Sequence, residues 1–188
     1  MNMTNRRRAL MASKKSEILY EISDRAVNDE VIETGVTLFR TDIDWTIACD
    51  INMTAGTSLP VHYIHSPNVY VKRGGSGGGY ITIFEWRSGG AYKEFRTTGN
   101  TNRNPIRIRF VLTHQKGSNS YNATYRSQNN AIKTGSPAQI AFSSSDEVLT
   151  LGYGNGTSRL PTGTINHAII LNRIMSLSEI NDFMGVEE

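Results

Sequence analysis

The chain has 188 residues, with 20 Lys and Arg against 17 Asp and Glu, a single cysteine and 17 glycines. That length suits one domain with a real core; the lone Cys49 excludes an internal disulfide, and no apolar run approaches the ~18 residues of a membrane-crossing helix. The basic excess is local, because Arg6, Arg7, Arg8, Lys14 and Lys15 stand in an arm without a single acid, and from Ser16 onward 15 basic residues face 17 acidic ones. A nucleic-acid surface should make the whole domain basic, so nucleic acid is not expected as a partner, nor is a membrane.

The arm, residues 1–15, holds good helix formers from Asn5 to Ala12, with Thr4 or Asn5 as a cap. It is too short to be stable alone. It lacks the apolar stretch of about 7–15 residues that a secretion signal needs, so none is expected. The body, residues 16–188, reads as strands. Ile18–Ile22 and Val36–Phe39 are the first candidates. Asp44–Asn52 alternates, placing Trp45, Ile47, Cys49 and Ile51 on one face, the mark of a half-buried strand. Val61–Ile64 and Asn68–Lys72 follow, then a glycine cluster, Gly74 to Gly79, read as a turn. Tyr80–Trp86, Ala91–Thr97, Ile106–Gln115 and Tyr121–Tyr125 are further strands, as are Leu149–Gly154 and Gly163–Arg173. Ser176 with Glu179 gives a capping box for a closing helix whose apolar face is Leu177, Ile180 and Phe183. Turn signals every 8–15 residues argue for an all-β sandwich in one domain. The expected core is Trp45, Ile47, Cys49, Ile51, Ile81, Ile83, Ile108, Phe110, Leu112, Leu151, Ile165 and Ile169.

Motifs with chemistry are scarce. The glycine cluster carries Tyr80 and Ile81 where a phosphate loop needs Lys and Ser or Thr, and it precedes a strand. His62 and His65, three apart, should point to opposite faces of a regular strand and read as structural, as do His114 and His167. Asn122-Ala123-Thr124 and Asn155-Gly156-Thr157 match the glycosylation sequon, a pattern common by chance.

The order of Ile106–Gln115, the turn Lys116–Asn119, Tyr121–Tyr125, Leu149–Gly154, Gly163–Arg173 and Met175–Ile180 resembles the concanavalin A-like lectin/laminin G family over about Gly35 to Phe183. The resemblance implies a jelly roll of two antiparallel sheets with a short C-terminal helix, and it implies that Trp45 packs inside. Retaining glucanases of this fold carry E-x-D-x-x-E on a strand. This chain has no such motif: Glu85 stands alone, Asp146 and Glu147 are adjacent, and Asp42 with Asp44 has no third acid. No catalytic residue is therefore expected, and the rival reading is a glycoside hydrolase or lyase with a non-standard site. Sugar-binding sandwiches set aromatic faces against sugar rings beside directed polar groups. The candidates are Trp86, Tyr92, Arg107, Arg109, Tyr121 and Tyr125. Laminin G-type domains often hold calcium, for which Asp50, Asn52 and Asn155 are the candidates; no other cofactor is expected. The run Arg6-Arg7-Arg8-Ala9-Leu10-Met11 resembles openings of structural proteins of phages that infect Gram-positive bacteria. The expectation is a non-catalytic binding or structural module of a phage or prophage virion, located in the virion or the cytoplasm of the producing bacterium. Its expected partner is a cell-surface glycan or another structural protein, with self-association through the arm.

Overall fold

The computed structural model describes residues 17–37, 42–53, 61–76, 79–97, 106–128, 130–140, 148–152, 160 and 162–186. The arm and Asn155 lie outside them. Two six-stranded antiparallel sheets face each other. The first runs β1 (Ile18–Val27), β12 (Gly163–Leu171), β3 (Trp45–Met53), β8 (Ile106–His114), β9 (Asn122–Ser127), β10 (Lys133–Gly135). The second runs β2 (Ile32–Glu33), β11 (Thr150–Leu151), β4 (Val61–His65), β5 (Val69–Ser76), β6 (Gly79–Ser88), β7 (Ala91–Arg96). A helix, α1 (Leu177–Met184), closes the chain.

Between the sheets, Trp45, Ile47, Cys49 and Ile51 of β3 meet Ile108, Phe110 and Leu112 of β8 and Val69, Val71, Phe84 and Trp86 of the second sheet. On β3 the alternate residues Thr46, Ala48 and Asp50 are buried as well. The cause is α1, which lies over the outer face of the first sheet with Phe183 and Met184 against Ala48, Val111, Ile169 and Leu171. Each of those two side chains contributes about 1.5–3 kcal/mol on full burial. The helix begins as expected: Ser176 accepts from the Glu179 amide while Glu179 accepts from the Ser176 amide. It ends at Gly185 with φ 70°, a left-handed turn that glycine adopts without strain. Leu177 does not share the buried face; it is 74% exposed.

Several strand expectations are corrected by the packing. On β6 the inward residues are Phe84 and Trp86, with Thr82, so Ile81 and Ile83 belong to the outer face. Two aromatics bury more apolar surface than two isoleucines, and that decides the parity. On β12 a bulge between Ile165 and His167 shifts the alternation, so Ala168 and Ile170 face the main core while Ile169 turns under the helix. No strand forms at Val36–Thr37, where Val36 instead accepts from the Leu149 amide; the pairing strand is the short Ile32–Glu33. The glycine cluster is largely strand, with Gly75 opposite Tyr80 and Ser76 opposite Gly79.

Candidate functional site

Three of the expected sugar-contacting aromatics are interior residues. Trp86 is 1% exposed and stacks at 6.0 Å on His114, which itself stacks at 5.1 Å on Trp45. Tyr121 packs on both tryptophans and donates its hydroxyl to the Glu85 carbonyl at 3.0 Å. Tyr125 lies edge-on to Phe84. Being sealed between the sheets, none of the three can meet a sugar ring. The two arginines share the outer face of the first sheet, as expected, but both are engaged structurally. Arg107 grips Asp50 through two hydrogen bonds of 2.8 and 2.6 Å. Arg109, 6% exposed, donates to the Met184 carbonyl at the end of α1, which Arg126 also holds at 2.8 Å. Of the four aromatics only Tyr92 stands in the open, at 54% exposure; Arg107 is half-exposed but committed to Asp50.

Asp50 likewise does not fit calcium. Its carboxylate is fully buried between Arg107 and Asn166. Burial alone would raise its pKa, but the hydrogen bonds from Arg107 and Asn166 outweigh burial and hold it below the usual value. The guanidinium supplies the positive charge that a metal would. Among the described residues no group of three His, Cys, Asp or Glu stands ready for a metal ion.

The outer face of the second sheet is different. Cross-strand register sets His65, Tyr70, Glu85 and Glu94 in one row across β4, β5, β6 and β7, with His62, Lys72, Ile83 and Arg96 in the next and Arg87 opposite Tyr92 beyond. The two histidines share this face because a bulge between His62 and Ile64 adds one residue to β4; a regular strand would have separated them. Their rings lie 6.1 Å apart, and Tyr70 lies edge-on to both, at 5.8 Å from His62 and 4.5 Å from His65. The Arg87 guanidinium covers the Tyr70 ring at 3.9 Å and stands 5.5 Å from that of Tyr92.

Glu85, 1% exposed, anchors the arrangement. Lys72 takes one carboxylate oxygen; Arg87 donates Nε and Nη2 to the other at 2.8 and 2.6 Å. Burial pushes the Glu85 pKa up, and the hydrogen bonds from Lys72 and Arg87 together push it lower still, so it is ionised. Two cations thus surround one anion. Arg87 Nη1 has no hydrogen-bond partner among the described residues, and its side chain is about a third exposed. Burial pulls both histidines down to about pKa 4, helped by Lys72 and Arg87 at His62 and by His62 and Arg87 at His65, so they are neutral near pH 7. Chemically the face offers a fixed guanidinium with a spare donor, a flanking ammonium and an exposed tyrosine ring. In the sequence the paired Glu85-x-Arg87 was visible, but the strand parity was assigned to the wrong side, and the β4 bulge carries no sequence mark.

No family model matches the chain, and no curated protein matches it. Solved structures do. The chain is similar to the CBM40 domain of the Ruminococcus gnavus IT-sialidase, bound to α2,6-sialyllactose, with TM-score 0.57 and 14% identity over 91% of this chain and 100% of that one. It is similar to the leech intramolecular trans-sialidase in complex with 2,7-anhydro-Neu5Ac (TM-score 0.58, 16% identity, 92% of this chain and 28% of that one). The NanB sialidase of Streptococcus pneumoniae gives TM-score 0.55 and 12% identity over 91% of this chain and 28% of that one. The chain therefore spans the whole of the first and about a quarter of the two larger enzymes. At such identities the likeness defines the fold: a concanavalin A-like jelly roll of the lectin-like kind.

Proposed function

We propose that this chain is a non-catalytic carbohydrate-binding module and that its ligand face is the outer face of the second sheet, with Arg87, Lys72, Tyr70 and Tyr92 as contacting residues. The observation that carries the reading is Arg87: fixed by Glu85, held over Tyr70 and with no partner for Nη1 among the described residues, it is prepared to receive a carboxylate on a sugar. Tyr92 supplies the exposed ring surface that a sugar ring packs against. The sialyllactose in the similar CBM40 domain supports an acidic sugar as the ligand class. A glycan array followed by calorimetry tests it. Sialyllactose should bind and lactose should not, and Arg87→Lys, which keeps the charge beside Glu85 but loses the fork, should weaken binding about tenfold or more. Equal affinity for lactose and sialyllactose would sink the carboxylate assignment.

One observation favours a hydrolase as the rival reading, since Glu85 and Glu94 stand directly opposite on β6 and β7, close enough in Cβ separation, about 5 Å, for a carboxylate pair. Against it, a general acid needs a raised pKa, whereas that of Glu85 is lowered, and Glu94 is engaged by Arg96 at 2.6 Å. Release of a chromophore from an aryl sialoside, lost in Glu85→Gln, would decide for the enzyme. For cellular context we propose a phage or prophage virion component, with residues 1–15 as an assembly arm docking on a neighbouring subunit. The support is the arm's composition alone. Deleting it should leave sugar binding intact and weaken self-association measured by sedimentation.

A further inference from the structure

The His62–His65 pair is unused by the reading above, and the fold goes to some length to place it. The β4 bulge turns both rings onto the ligand face, Tyr70 lies edge-on to both, and the same Tyr70 ring carries the Arg87 guanidinium at 3.9 Å. Through the shared Tyr70 ring the Arg87 guanidinium stands within about 9 Å of the His65 ring and about 10 Å of the His62 ring, so a carboxylate seated on it acts on both imidazoles at medium range. We propose that ligand binding at this face is linked to proton uptake by His62 and His65, so that the module holds its acidic sugar more tightly as the pH falls from neutral. The inference rests on the reading that the face binds a carboxylate-bearing sugar.

The charges facing the pair can be named strand by strand. On β4 the two histidines face each other. Lys72 of β5 and Arg87 of β6 oppose protonation of His62 and Glu85 of β6 favours it, while His62 and Arg87 oppose protonation of His65; Tyr70 of β5 lies edge-on to both. On β7, Glu94 and Arg96 are paired with each other, and Tyr92 stands opposite Arg87. On β11 the neighbour of His65 is the uncharged Thr150, and beyond it on β2 stands Glu33. Burial, with Lys72 and Arg87 at His62 and with His62 and Arg87 at His65, keeps the imidazoles neutral near pH 7 while the site is empty. A carboxylate on Arg87 offsets the opposing cations and adds an anion at medium range, which strengthens each imidazole's hold on a proton by about tenfold. Linkage then requires the converse: protons strengthen the hold on the sugar. With each proton bound about tenfold more tightly in the complex, affinity should rise about threefold at pH ~5 and about tenfold at pH ~4.5 relative to neutral. The sugar's own carboxyl, ordinarily near pKa 3.5, stays ionised over that interval.

Calorimetry with α2,6-sialyllactose at pH about 7.5, 6 and 5, in two buffers of different ionisation enthalpy at constant ionic strength, measures affinity and protons taken up together. Tightening toward acid with net uptake is expected, and His62→Gln with His65→Gln should keep neutral-pH binding and flatten the slope. Should either variant fail to fold, ring-proton NMR titration of the unaltered protein gives the same answer, with both imidazoles titrating higher in the saturated complex. Binding with flat affinity and no proton uptake overturns the inference and leaves the sugar-binding reading standing. Absence of sialyllactose binding at every pH overturns that reading, and the inference with it.

Discussion

Replacing Arg109 by Met separates a structural role from a ligand role with one substitution. Its guanidinium is buried under the last turn of α1 and donates to the Met184 carbonyl, one of the acceptors that a helix C-terminus leaves without intrahelical partners. Methionine keeps most of the side-chain volume and removes the charge and the donors. A hydrogen bond from a charged donor contributes about 1.5–3 kcal/mol. Arg126 still reaches the Met184 and Gly185 carbonyls, at 2.8 and 2.9 Å, so the loss should fall near 2 kcal/mol. For a domain of this size that lowers Tm by about 4–8 °C. Scanning calorimetry reads the shift. Hydrogen exchange locates it, because the amides of Leu177–Met184 should lose protection before those of β3 and β8. Sialyllactose affinity should not change, since Arg109 belongs to the opposite sheet. An unaltered Tm refutes the clamp. A folded variant that has lost sugar binding refutes the placement of the ligand face.

Trp86→Ala should cost about 3–5 kcal/mol by opening a cavity beside His114 and Tyr121, read as a lower denaturation midpoint. Tyr92→Ala, at an exposed edge position, should leave stability within about 0.5 kcal/mol and weaken sugar binding about three- to thirtyfold by calorimetry. Acid should destabilise the fold through the histidines: with folded pKa values near 4 against 6.5 unfolded, the unfolded chain binds more protons between those limits. Their contribution is complete above pH ~6.5 and is lost as the pH falls toward 4, by up to about 3 kcal/mol each. Urea midpoints at several pH values measure the slope, and His62→Gln with His65→Gln should remove it.

Where one rule decided the structure, it was legible in the sequence. The alternation of Trp45, Ile47, Cys49 and Ile51 fixed the inward face of β3, and the Ser176–Glu179 box fixed the start of α1, because each is a local pattern with one physical solution. Two sheets and their strand sequence followed from turn spacing and from the resemblance. The expected inventory of sugar-contacting residues fared worse because it took Trp86, Tyr121 and Tyr125 to lie off the core pattern, when they are the core of that end of the sandwich. Arg107 and Arg109 did lie off it, but on a face that α1 and Asp50 occupy. A helix far along the chain decides whether a strand's polar face meets water, and strand periodicity holds no record of it.

The ligand face was missed for a related reason. In Ile81-Thr82-Ile83-Phe84-Glu85-Trp86-Arg87 both parities bury apolar residues, and choosing Ile81 and Ile83 for the interior sends Phe84 and Trp86 outward. That choice is excluded by bulk: Val69 and Val71 on β5 leave room for the aromatic pair, and Gly74 opposite Ile81 leaves the outer face the space that the Ile83 and Ile81 side chains fill. Once Phe84 and Trp86 turn inward, Glu85 must turn outward, where its burial would be costly without partners. Lys72 and Arg87 are those partners, one from the neighbouring strand and one two residues along its own. The same ion cluster that makes the outward carboxylate tolerable holds the Arg87 guanidinium over the Tyr70 ring at 3.9 Å. In this sheet the residues that neutralise a buried acid are also those of the proposed acidic-sugar site.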